Sequence, residues 1–139
     1  MDNSSKITDV GISTKATDVT GTIAGTPIYM APEVFASKVY DSKADIYSFG
    51  LILWEMWYGE TVFSEFGRMD FREFGRLIRE DRRPTPPEDC ILAPPLWEDL
   101  MKKCWSTKPE DRITARNCID ELNTFMKHFN NWTSFIINI

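Results

Sequence analysis

Asp9, in the triplet Asp9-Val10-Gly11, places an acidic oxygen in a turn-forming context. An acidic oxygen at a loop can hold Mg²⁺ against nucleotide phosphates, although on local grounds alone the triplet is a turn signal. Five hydroxyls follow, on Ser13, Thr14, Thr17, Thr20 and Thr22, in a stretch with no helical periodicity that reads as a mobile loop. Phosphate added to Thr20 or Thr22 would order such a loop through a basic partner, and the same hydroxyls fit an inert loop equally well. Thr26, before Pro27, is a turn hydroxyl in local terms. Glu33 and Asp45 are first-turn acids, and Arg112 is a charge ahead of the last helix.

Other chemistry is excluded by what is missing. The single histidine, His128, lies beyond all of these groups, so no general base is assigned. The seven glycines nowhere form Gly-x-Gly-x-x-Gly. Cys90, Cys104 and Cys118 are widely spaced with no clustered histidine, so buried reduced thiols are expected rather than a zinc site or disulfide framework.

These groups must be positioned by helices. With 42% hydrophobic and 13% aromatic residues, the 139-residue chain can form a packed interior. Its net charge of −5 argues against nucleic acid as a partner. The first residues carry no signal peptide, and a cytoplasmic setting is expected. Lys6 to Thr8 reads as a short strand and Pro32 to Ala36 as a brief helix. Ser42 is expected to cap a helix, with Asp45 completing the box and Ile46 to Tyr58 apolar on nearly every face, as if surrounded by protein. That run is too short for a membrane span, and Gly59 offers its stop. A helix from Asp70 lines up Phe71, Phe74, Leu77 and Ile78, with Glu73 as reciprocal cap. Pro84 to Pro87 and Pro94-Pro95 bracket a non-helical connector. The next helix repeats Leu96, Trp97, Leu100, Met101 and Cys104, with acids early and lysines late. The last, from Thr114, sets Ala115, Cys118, Ile119, Leu122, Phe125 and Phe129 on one face.

Gly25-Thr26-Pro27-Ile28-Tyr29-Met30-Ala31-Pro32-Glu33, preceded by Asp9-Val10-Gly11, resembles the activation segment of a protein kinase. Asp45 to Gly50 resembles the start of the buried central helix of the kinase C-terminal lobe. Cys104-Trp105, then Pro109 and Arg112, resembles the late signature of tyrosine kinases and tyrosine-kinase-like enzymes. The resemblance implies a mainly α fold, the kinase C-terminal lobe from the activation segment through the last helix, with a short N-terminal strand. It divides the chain into a partial kinase domain, 1–129, comprising an activation segment, 9–33, and a helical subdomain, 34–129. An apolar C-terminal tail, 130–139, follows.

By resemblance, the parent activity is transfer of the ATP γ-phosphate to protein Ser/Thr, with an affinity to dual-specificity kinases. Asp9 would hold Mg²⁺ and nucleotide once the missing lobe is present, and Val10 departs from the usual Phe. Gly25, Thr26 and Pro27 would dock substrate, with Thr26 favouring Ser/Thr. Glu33 and Arg112 would form a structural ion pair, and Asp45 would accept bonds from a catalytic loop. That loop, the glycine-rich loop and the nucleotide lysine have no counterparts in the 139 residues, so no catalytic residue is assigned and the expectation is an inactive fragment that binds ATP and Mg²⁺ poorly alone. The alternative is a regulatory or protein-binding module that uses the same docking surface to hold a protein substrate or kinase partner.

Overall fold

The computed structural model describes residues 27–36 and 38–137, with side chains to Asn130. The expected strand at Lys6 and the loop from Ile12 to Thr22 lie outside the described residues. Among those described there are helices and 3-10 turns and no strand.

Helix α1 spans Pro32–Phe35, with proline at its first position, where a missing N–H costs nothing. Helix α2, Ser42–Tyr58, is capped one residue earlier than expected. The Asp41 carboxylate accepts from the Lys43 amide, so Ser42 is already helical. Asp45 stands exposed in that first turn and has no side-chain partner among the described residues. Gly59 ends α2 with φ of 68°, a left-handed conformation that glycine adopts without penalty.

Helix α3, Phe71–Arg79, is capped by Asp70, whose side chain accepts from the amides of Arg72 and Glu73. Glu73 does not reach back to complete the box, because its carboxylate is taken by Arg76 at 2.6 Å. Helix α4, Pro95–Cys104, carries the i,i+4 pairs Glu98–Lys102 and Asp99–Lys103, oriented favourably along the helix. The Thr114 hydroxyl accepts from the Asn117 amide ahead of α5, Ala115–Ile137. The backbone of α5 is helical through Ile137, past the change in sequence character after Phe129.

The core lies where α2 packs on α4, with α5 against α4 and α1 against α3. Tyr47, Leu51, Leu53, Ile78, Leu100 and Met101 are fully buried there. Trp97 joins three helices: its indole donates to the Leu53 carbonyl of α2 at 3.1 Å, and its ring lies 5.0 Å from Phe125 of α5. Two expected burial patterns are corrected. Helix α2 is not enclosed all round, since Ile52 and Met56 are 43% and 67% exposed and no described residue covers them. On the expected core faces, Leu96, Ile119 and Phe129 are exposed, leaving Cys118 and Phe125 as the buried positions among the described side chains of α5. The thiols of Cys104 and Cys118 are buried 3.7 Å apart, while Cys90 is only half-buried. Burial pushes both buried thiols up.

At Gly50, α2 and α4 are in close contact. A Cβ there would sit 2.7 Å from the Cys104 Cβ and 3.4 Å from the Met101 carbonyl. Neither obstacle is the end of a flexible chain, so the helices must part. Gly50→Ala gains about 1 kcal/mol of helix propensity, against about 1–3 kcal/mol for overpacking. We expect a net loss of stability, read as a lower urea midpoint; a midpoint equal to or above the parent's would contradict it.

Candidate functional site

Two constellations hang from α2. The first is centred on Arg112, which is fully buried, and Glu33, 9% exposed. The guanidinium binds the Glu33 carboxylate through two bonds of 2.7 and 2.8 Å. It also donates to the carbonyls of Ser106 at 2.7 Å and Lys43 at 2.8 Å. Lys43 returns a bond from its Nζ to the Arg112 carbonyl. A bidentate pair with its remaining donors satisfied is the geometry in which a buried charge is tolerated. The pair fastens α1, which ends the Pro27-to-Glu33 segment, to the start of α2 and to the turn before α5.

Tyr47 lies beneath this hub with a guanidinium over its ring twice, Arg83 at 5.2 Å and Arg112 at 5.1 Å from the centroid. Cations near an aromatic face are attracted by its quadrupole. Its hydroxyl is buried without a partner among the described residues. Burial pushes the Tyr47 phenol up to about 12, and the two arginines act in the opposite direction.

The second constellation supports Pro27 to Met30. Pro27–Tyr29 forms a 3-10 turn. Ser48 of α2 donates to the Tyr29 carbonyl at 2.8 Å. The Tyr29 hydroxyl donates to Glu55 Oε1 at 2.7 Å, and the same oxygen accepts from the Val62 amide at 3.0 Å. Partial burial first, and then this bond, raise the Tyr29 phenol to about 12. Beside the turn is an apolar cavity of about 160 Å³, lined by Pro27 and Ile28 together with Phe63, Phe66, Met69 and Phe74.

The raised tyrosines fix a pH dependence. Below pH 10 both phenols are neutral whether the chain is folded or not, and their contribution is fully present. Between about 10 and 12 the unfolded chain ionises first, so that contribution is lost as pH rises. The raised thiols act in the same direction from about pH 9. We expect the denaturant midpoint to fall continuously above pH 9, with phenolate absorbance appearing together with unfolding. A flat midpoint to pH 11.5 would refute this.

Of the residues singled out from the sequence, Pro27, Glu33, Asp45 and Arg112 are described. Asp9, Thr20, Thr22, Gly25 and Thr26 lie outside the described residues. Glu33 and Arg112 come together, while Asp45 is apart and exposed. The described residues contain no trio of His, Cys, Asp or Glu that could hold a metal ion. Sequence reasoning missed Tyr29, Lys43, Tyr47 and Glu55. Glu55 carried a usable signal: a lone carboxylate inside an apolar helix must find donors.

A helical lobe hung on one apolar helix, with a proline-led segment anchored to it by a buried arginine, matches the protein kinase domain profile over residues 1–122. The chain belongs to the protein kinase family. It is 38% identical over 98 residues to "Dual specificity protein kinase shkA" of Dictyostelium discoideum, covering 70% of this chain and 18% of that protein. From the same organism, "Probable serine/threonine-protein kinase drkB" is 37% identical over 120 residues, covering 86% and 17% respectively. "Probable serine/threonine-protein kinase roco11" is 38% identical over 127 residues, 90% of this chain and 8% of that protein. The chain thus spans less than a fifth of the length of these relatives. Among the described residues, no helix is long and apolar enough to cross a membrane.

Proposed function

We propose that this chain is the substrate-docking and anchoring portion of a kinase that transfers the ATP γ-phosphate to serine or threonine of a protein. The observation that carries this reading is the way Ser48 and Glu55 hold the Pro27 to Met30 turn beside an apolar cavity. A docking segment must be rigid before substrate arrives, because positioning supplies most of the catalysis in phosphoryl transfer. Gly25, Thr26 and Pro27 present the substrate hydroxyl, with Thr26 selecting Ser/Thr. Asp9 holds Mg²⁺ and nucleotide only when joined to the nucleotide-binding residues of a kinase. Phosphate on Thr20 or Thr22 orders the segment. Asp45 serves the catalytic loop of the same complete lobe.

The 139 residues contain no glycine-rich loop and no His-Arg-Asp triplet. By itself this polypeptide therefore binds ATP and Mg²⁺ poorly and transfers no phosphate. The test is incubation with labelled ATP, Mg²⁺ and a generic protein substrate. No incorporation is expected, and incorporation abolished by Asp9→Asn would overturn the inactive reading. A second reading, a protein-binding module, is favoured by a docking turn whose supports include no nucleotide-binding residue. Peptide capture that is retained without ATP and lost in Glu55→Ala supports that module.

A further inference from the structure

A cavity of about 820 Å³ opens between the connector after α3, helix α4 and the turn before α5, and shares no residue with the docking turn. Its size falls in the range of small-molecule sites. Accessible apolar surface comes from the half-buried Trp105, with Pro84 and Pro86 along one wall. The walls are fixed by Arg83, which donates to the Trp105 carbonyl and the Thr107 hydroxyl at 2.9 Å each and to the Ile78 carbonyl at 3.1 Å. Thr107 in turn donates to Asp81 at 2.6 Å. A site held in this way loses little freedom when it is filled.

The charges of the cavity are not balanced. Arg83 pairs with Asp81 and Lys102 with Glu98, which accounts for two of its cations and two of its carboxylates. Arg79 and Lys108 remain, with no carboxylate partner among the described residues, against Asp111 alone. The cavity is net cationic on a chain of net charge −5.

We propose that this cavity binds a small organic anion with a flat apolar body. The body lies on Trp105, and the carboxylate is met by Arg79 and Lys108. A neutral ligand would use the floor alone, and an inorganic anion the rim alone.

The test uses 2-naphthoate and its neutral counterpart 2-naphthalenemethanol on the full 139-residue chain, followed through tryptophan indole N–H resonances. Saturable shifts at Trp105 are expected, with naphthoate binding in the millimolar range or tighter and the alcohol about tenfold more weakly. The double variant Arg79→Gln, Lys108→Gln should lose about tenfold for naphthoate and nothing for the alcohol. Both substitutions are of exposed side chains, and an unchanged alcohol affinity confirms that the floor is intact. Equal affinity for the two probes, no saturation by 10 mM, or naphthoate binding untouched by the double variant would each overturn the proposal.

Discussion

Arg112→Met is expected to destabilise the chain by about 3–5 kcal/mol, because it leaves the Glu33 carboxylate buried without its partner. The loss also strips donors from the carbonyls of Ser106 and Lys43 and removes one of the two cations over Tyr47. Glu33→Gln should cost less, about 1.5–3 kcal/mol, since an amide oxygen still accepts one bond from the guanidinium. The informative variant is the double one, Glu33→Met with Arg112→Met, which removes both charges. A buried pair pays back little of its own desolvation, so the double variant should lose much less stability than the sum of the two single losses. Urea unfolding of the parent, Glu33→Met, Arg112→Met and the double variant supplies the cycle. Single losses under about 1 kcal/mol, or strict additivity, would show that the pair is not a structural anchor.

Trp97→Ala should cost about 3–5 kcal/mol, the range for emptying a large aromatic site. The side chain is 8% exposed and meets Phe125, Trp57 and the Leu53 carbonyl, so three helices lose a shared partner. The effect should be uneven along the chain. Among its described side chains, helix α5 touches the rest through few buried ones, Cys118 and Phe125, and Phe125 loses its principal ring contact. Amide hydrogen exchange in α5 should therefore accelerate more than in α2. Equal acceleration in both helices would mean that Trp97 supports the core as a whole and does not fasten α5 in particular. Trp97→Phe should keep most of the packing and lose the indole bond, about 1 kcal/mol.

How much of this could be read from the sequence depended on whether the cause was local. Gly59 and Asp70 act on their own backbone, and each sits at the helix end its residue type suggested, whereas Pro95, read as part of the connector, is the first residue of α4. The cap of α2 was misplaced by one residue because Asp41 and Ser42 are both good caps, and only the backbone angles choose between them. Periodicity marked which faces of α2 and α5 are apolar, but it cannot say what covers them. Ile52, Met56 and Ile119 are apolar and exposed for that reason. Within the candidate site, Glu33 and Arg112 were legible through a motif. Lys43, Tyr47 and Glu55 were not, because their partners lie far away in sequence: Tyr29 is 26 positions from Glu55, and Arg112 is 69 from Lys43.

The distance along the chain between Glu33 and Arg112, 79 positions, bears on kinetics. Every helix here can form from neighbours, whereas this pair closes a loop that encompasses α2, α3 and α4, at an entropic cost that must be met before any reward. It is therefore expected to form after the folding transition state. Stopped-flow measurements on Arg112→Met should then show unfolding accelerated and refolding almost unchanged, whereas slower refolding would place the pair in the nucleus. On this view the anchor sets the lifetime of the folded lobe rather than the speed of its assembly.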